Sequence, residues 1–215
     1  MTHTEKVHVY FGIGMVLLGV LALLAARDPK SWARTAWPLL GVVLGFLLFI
    51  PVEAQTRTYQ EVGWWETLLS WIPPSAGAWF ADWLDKARQP HVVQHKLGGF
   101  LAMTIGAIEL GVARRWLTRP AWSRLLPWFS IAIGLSFAIH GGTEHHLPSA
   151  TEQLHHWIMG AGFVGGGVLL GLHQQGILRA PHWKYAWPLL VVATGLDIAL
   201  FYRLVAVMTG HGGAR

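Results

Sequence analysis

The chain contains no cysteine. That excludes disulfides, thiolate metal sites and cysteine-held iron–sulfur clusters, and leaves the redox compartment open. Charge is scarce too. Only 13% of residues are Asp, Glu, Lys or Arg, where a soluble domain carries nearer a quarter. Walker, dinucleotide-binding and hydrolase motifs are absent, so neither nucleotide nor acyl chemistry is supported. Methionine is sparse, five in 215 residues. That gives no indication of a soft Cu(I) site, although sites built from histidine alone also hold copper.

What the chain has in quantity is long apolar runs. Mean hydropathy is +0.41 and 53% of residues are hydrophobic. Six spans are expected, at about Val7–Ala26, Ala36–Val52, Leu97–Ala113, Leu125–His140, His155–Leu172 and Tyr185–Met208. Most are slightly under the ~20 residues that a bilayer asks for, a deficit that local thinning absorbs. The expected fold is an all-α integral membrane protein, residues 1–215 forming one six-span domain. The first run has Lys6 before it and Ala25-Ala26 at its end, as a signal peptide would, but it is long for one and reads as an uncleaved span.

Orientation follows from the basic residues in short loops. Arg27, Lys30 and Arg34 lie in loop 1, Arg114, Arg115, Arg119 and Arg124 in loop 3, and Arg179 and Lys184 in loop 5. These loops are expected to be cytoplasmic, with both termini outside, and a bacterial inner membrane is the expected location. The net charge of +5 is then a topogenic signal. The basic residues are scattered over short turns, so no nucleic-acid partner is expected.

Internal similarity is the next signal. His8, His95 and His156 each open an odd span, and eleven residues later stand Gly19, Gly106 and Gly167. The even spans carry Trp37-Pro38, Leu126-Pro127 and Trp187-Pro188, with Gly45, Gly134 and Gly195 seven residues past each proline. The three copies agree without gaps and predict three repeated helical hairpins. Small residues at fixed spacing let membrane helices approach closely. One linker is long, about residues 53–94. It holds Trp64, Trp65, Trp71, Trp79 and Trp83, divided by Pro73-Pro74. It predicts an interfacial helical loop on the outer face, lying on the lipid bilayer or docking other membrane subunits.

Ten of the twelve histidines fall on the outer face in this topology: His3, His8, His91, His95, His140, His145, His146, His155, His156 and His211. Imidazole is the commonest transition-metal ligand. His91 and His95 are four apart and share a helical face. His8, His95 and His156 are equivalent in the repeat, and three imidazoles converging on an axis suit Cu or Zn with an open position. The candidate metal ligands are, in order, His95 and His156, then His91, His140 and His155, then His8, His145 and His146. Glu53, Glu144 and Glu152 are candidate acceptors for the second ring nitrogens. A haem b held by two of His95, His140 and His156 is the alternative cofactor, and a structural subunit of a larger complex is the non-binding alternative. Inside the spans, Glu109 lies near the cytoplasmic end, while Asp197 and Arg203 lie deeper, placed to pair or to relay protons.

Within His91–Gly171, Gln94-His95 opens one span, Phe137-Ala138-Ile139-His140 ends another, and Glu144-His145-His146-Leu147-Pro148 and Gln153-Leu154-His155-His156 follow. This stretch resembles the histidine-rich transmembrane protein 45 family. The resemblance implies a histidine-lined membrane bundle and no particular reaction. The loop also looks like the boxes of membrane di-iron hydroxylases. His91-x-x-x-His95 fits the first box; His140-x-x-x-x-His145-His146 is too long for the second, and His155-His156 lacks its leading histidine.

Overall fold

The computed structural model describes residues 3–49, 63–69, 75–86, 90–138 and 150–208, and these are almost entirely helical. In order they are α1 (His3–Arg27), α2 (Ala33–Phe49), α3 (Trp64–Leu69), α4 (Ala76–Lys86), α5 (Pro90–Ala113), α6 (Pro120–Ser123), α7 (Leu126–Ala138), α8 (Ala150–Gln174), a 3₁₀ turn (Pro181–Tyr185) and α9 (Ala186–Met208). Among the described residues, three segments are long and apolar enough to cross a membrane: Lys6–Arg27, Val92–Ala113 and Pro181–Phe201. Ala33–Phe49 is apolar but shorter.

Several helix starts differ from those expected of the sequence. Helices α5 and α8 begin at Pro90 and Ala150, so His95 and His155 each stand sixth in their helix, not at its start. Pro38 does not open α2 but lies inside it, fully buried.

The six long helices close into a ring in chain order. α1 packs on α2, α2 on α5, α5 on α7, α7 on α8, α8 on α9, and α9 returns to α1. The most extensive packing is not within the hairpins but between them, at α2–α5, α7–α8 and α9–α1. Glycine makes these seams. A Cβ on Gly19 would stand 2.9 Å from both the Pro188 carbonyl and the Val192 nitrogen; on Gly106, 2.8 Å from the Pro38 carbonyl and 2.9 Å from the Val42 nitrogen; on Gly167, 2.6 Å from the Pro127 carbonyl and 3.1 Å from the Ile131 nitrogen. Each time an odd-helix glycine meets the proline carbonyl of an antiparallel even helix and the residue four beyond it. Gly195, Gly45 and Gly134 return the contact, with Cβ positions 2.6–2.9 Å from backbone of Gly12 and Val16, Gly99 and Met103, and Gly160 and Val164. With backbone this close, no side chain fits between.

An apolar core fills the ring. Met15, Leu18, Leu44, Ile105, Leu126, Trp187 and Val191 are buried together, and Trp37 meets Trp187 edge-on at 5.5 Å. The Trp187 indole donates to Ser130 Oγ at 3.1 Å, and Ser130 donates on to the Phe163 carbonyl at 2.7 Å, so a buried polar chain ties α9 to α7 and α8. At the end where α1 begins and α9 ends, α3 is pinned to α1. Tyr10 donates its hydroxyl to the Trp64 carbonyl at 3.2 Å, its ring meets Trp64 edge-on, and Lys6 lies over the same indole. The Gly63 amide donates to Glu66 at 2.7 Å and caps this short helix. Trp65 remains exposed, as do Phe80 and Leu84 of α4.

The seams predict a graded glycine scan. Gly45→Ala forces backbone apart and should lose about 1–3 kcal/mol, as overpacking does. Gly98→Ala, whose nearest neighbour is a Leu48 methyl at 3.8 Å, should melt as wild type. Thermal unfolding in detergent, compared between the two variants, checks this; equal melting would show that the seams tolerate a methyl group.

Candidate functional site

The antiparallel seams bring the beginnings of α1, α5 and α8 to one end of the ring. His8, His95, His155 and His156 therefore share that end, and His91 lies in α5 one turn from His95. His140, His145 and His146, with Glu53, Glu144 and His211, lie outside the described residues. His173 and His182 lie at the opposite end. His173 Nδ1 is 2.7 Å from the Leu178 carbonyl, a local contact where α8 ends.

Among the described residues, no group of three or more His, Asp or Glu side chains is placed to hold a metal ion. His8, His95 and His156 alone are thus not gathered on an axis. The helical period gives the reason. Positions four and eleven residues beyond each of these histidines are rotated from it by only about 40° and 20°. Those positions are Gly12 and Gly19, Gly99 and Gly106, and Gly160 and Gly167, the seam glycines. Each histidine therefore lies on the stripe facing the neighbouring helix, one per seam, while apolar residues hold the axis.

One position earlier, the helix turns by about 100°. His155 there faces α9 and, among the described residues, is the largest fully buried side chain, 1% exposed. Its Nδ1 lies 2.9 Å from Asp197 Oδ2. Its ring stacks on Phe201 at 3.8 Å between centroids, and the His156 ring follows at 5.8 Å. An ionisable pair in an apolar bundle is costly unless its members satisfy each other. Here a carboxylate stands at ion-pair distance from one ring nitrogen, and an aromatic face lies against the ring plane.

The equivalent positions of the other hairpins are different. Counted from His156 and Pro188, the pair is one residue before the histidine and nine after the proline. In the hairpin of α5 and α7 this gives Gln94 and Ser136, and the Gln94 amide donates to the Ser136 carbonyl. In the hairpin of α1 and α2 it gives Val7 and Leu47. One position thus grades from apolar, through neutral polar, to ionisable. Sequence alone places His155 below His156 and sets Asp197 with Arg203, to pair or to relay protons, whereas the structure sets Asp197 against His155. The offset just described is the signal that could have singled out the His155–Asp197 pair.

Comparison of the chain with known protein families, with characterised proteins and with solved structures finds no match.

The pair predicts a test of cost and compensation. Asp197→Ala leaves a buried imidazole without its carboxylate and should destabilise by about 3 kcal/mol. Changing both residues to the apolar pair of the first hairpin, His155→Val with Asp197→Leu, should restore most of that loss. Melting of the single and double variants decides it; a double variant no more stable than Asp197→Ala would mean that the two residues are energetically independent.

Proposed function

We propose that the chain is a six-span integral membrane protein, built of three repeated hairpins, that binds a transition metal ion, Cu or Zn, at the histidine-bearing end of its bundle. His155 is its central ligand and Asp197 the acceptor that orients it. The ring faces away from the cytoplasm at this end, with both termini outside. Basic residues in the turns opposite support that orientation. The recurring seam register supports the repeat, and the long apolar helices support a bilayer as the surroundings.

The observation that carries the reading is the 2.9 Å contact between the buried His155 ring, at Nδ1, and the partly exposed Asp197 carboxylate. Metal-ligating histidines nearly always give their second ring nitrogen to a carboxylate, carbonyl or water, which fixes tautomer and plane and raises ligand basicity. With Nδ1 turned to Asp197, Nε2 is the nitrogen that would carry the metal. His156 on the same helix, and His91, His95, His140, His145, His146 and His8 at the same end in this topology, are the further candidates for completing its coordination. Exposed Trp65, Phe80 and Leu84 in the loop helices fit a loop resting on the headgroup layer.

Elemental analysis and an absorption spectrum of protein purified after exposure to Cu or Zn test this directly. Stoichiometric metal is expected, lost in His155→Ala and unaffected in His182→Ala. Asp197→Asn should weaken affinity by about 10–100-fold, the usual effect of removing such an acceptor. Acidification should release the metal, because a ligating imidazole must be neutral. Full metal content in His155→Ala sinks the assignment, and a Soret band in place of metal ions would give the site to haem.

Topology is tested separately. A reporter fused after Arg215 should behave as extracytoplasmic, and a cytoplasmic signal would invert the bundle.

A further inference from the structure

The three seams share a register but not a surface. Along α7–α8 a groove of about 640 Å³ opens on the outside of the ring. Pro127, Trp128, Gly167 and Gly171 line it, and Arg124 and Gln175 stand at its mouth. Its floor is low because Gly171 has no side chain; a Cβ there would find Pro127 as its nearest neighbour, at 3.5 Å.

The other seams show what is missing. Four residues past the seam glycines Gly167, Gly106 and Gly19 stand Gly171, Leu110 and Leu23. Three residues before the prolines stand Arg124, Thr35 and Tyr185, and one residue after them Trp128, Leu39 and Leu189. The one seam that lacks the leucine also carries the arginine and the tryptophan. Trp128 is 65% exposed on the outer surface, and Arg124 is exposed at the turn before α7.

We propose that this groove binds an anionic phospholipid, one acyl chain lying over Gly171 and the phosphate held at Arg124. The proposal rests on the reading of the bundle as membrane-spanning. In a bilayer, a lateral groove between two helices opens onto acyl chains. Trp128 lies at the depth where indoles anchor to headgroups. Guanidinium matches phosphate geometry with paired donors, and basic pockets between membrane helices take acidic headgroups. Gln175 adds an amide to the lining.

The test is native mass spectrometry of the full chain, released from mixed micelles of phosphatidylglycerol and phosphatidylcholine. Wild type should retain phosphatidylglycerol in preference. Gly171→Leu, the residue of the other two seams, should lose it while melting as wild type. Arg124→Gln should reduce the preference roughly fivefold, as loss of one interfacial cation implies. Equal retention of the two lipids by wild type, or unchanged preference in Arg124→Gln, overturns the proposal, even if Gly171→Leu fails to fold. Capture of a partner helix that excludes the lipid also overturns it. Alkaline carbonate extraction separates the two layers of argument. A chain released without detergent sinks the membrane reading itself, whereas a chain that stays embedded without lipid preference sinks the groove alone.

Discussion

The structure depends on backbone meeting backbone. At three seams, glycine on one helix rests against the carbonyl and amide of the next, at separations that leave no room for a methyl group. These helices are apolar over most of their surface, so apolar contact alone discriminates weakly between neighbours. Close approach and dispersion must set which helices adjoin, and the seams do so. They also fix the axial register, because a glycine and a proline carbonyl can meet only when both helices are in step.

That register has consequences at both ends of the ring. It commits the stripe holding His8, His95 and His156 to the seams, and so removes those three from the axis. It turns His155, one residue away, into the interior of its own hairpin toward Asp197 and Phe201. At the opposite end it leaves the three seams free to differ on their outer surface, where a single leucine replaced by Gly171 opens a groove.

The His155–Asp197 pair also shows why equivalent positions need not carry equivalent chemistry. Val7 with Leu47 is apolar, Gln94 with the Ser136 carbonyl is neutral, and of the three only His155 with Asp197 can exchange a proton. Stability alone does not call for an ionisable pair where an apolar one serves in the same scaffold. Its presence is therefore the strongest functional signal in the described residues.

The sequence by itself determined the helices, the long linker and the recurrence of histidine, glycine and proline at fixed spacing. These are properties of composition and of a single helix's period, which one strand of text contains. Even the seam residues were legible, since Gly19, Gly106 and Gly167 stood out as a set. Tertiary structure decided which helices the glycines join: neighbouring hairpins more than the two arms of each. It decided that His155 rather than His156 is enclosed, and that Asp197 is its partner. A helical period states which residues share a face, but not which neighbour that face meets. That depends on contacts between residues far apart in the chain, and a rotation of about 100° separates a seam histidine from a buried one.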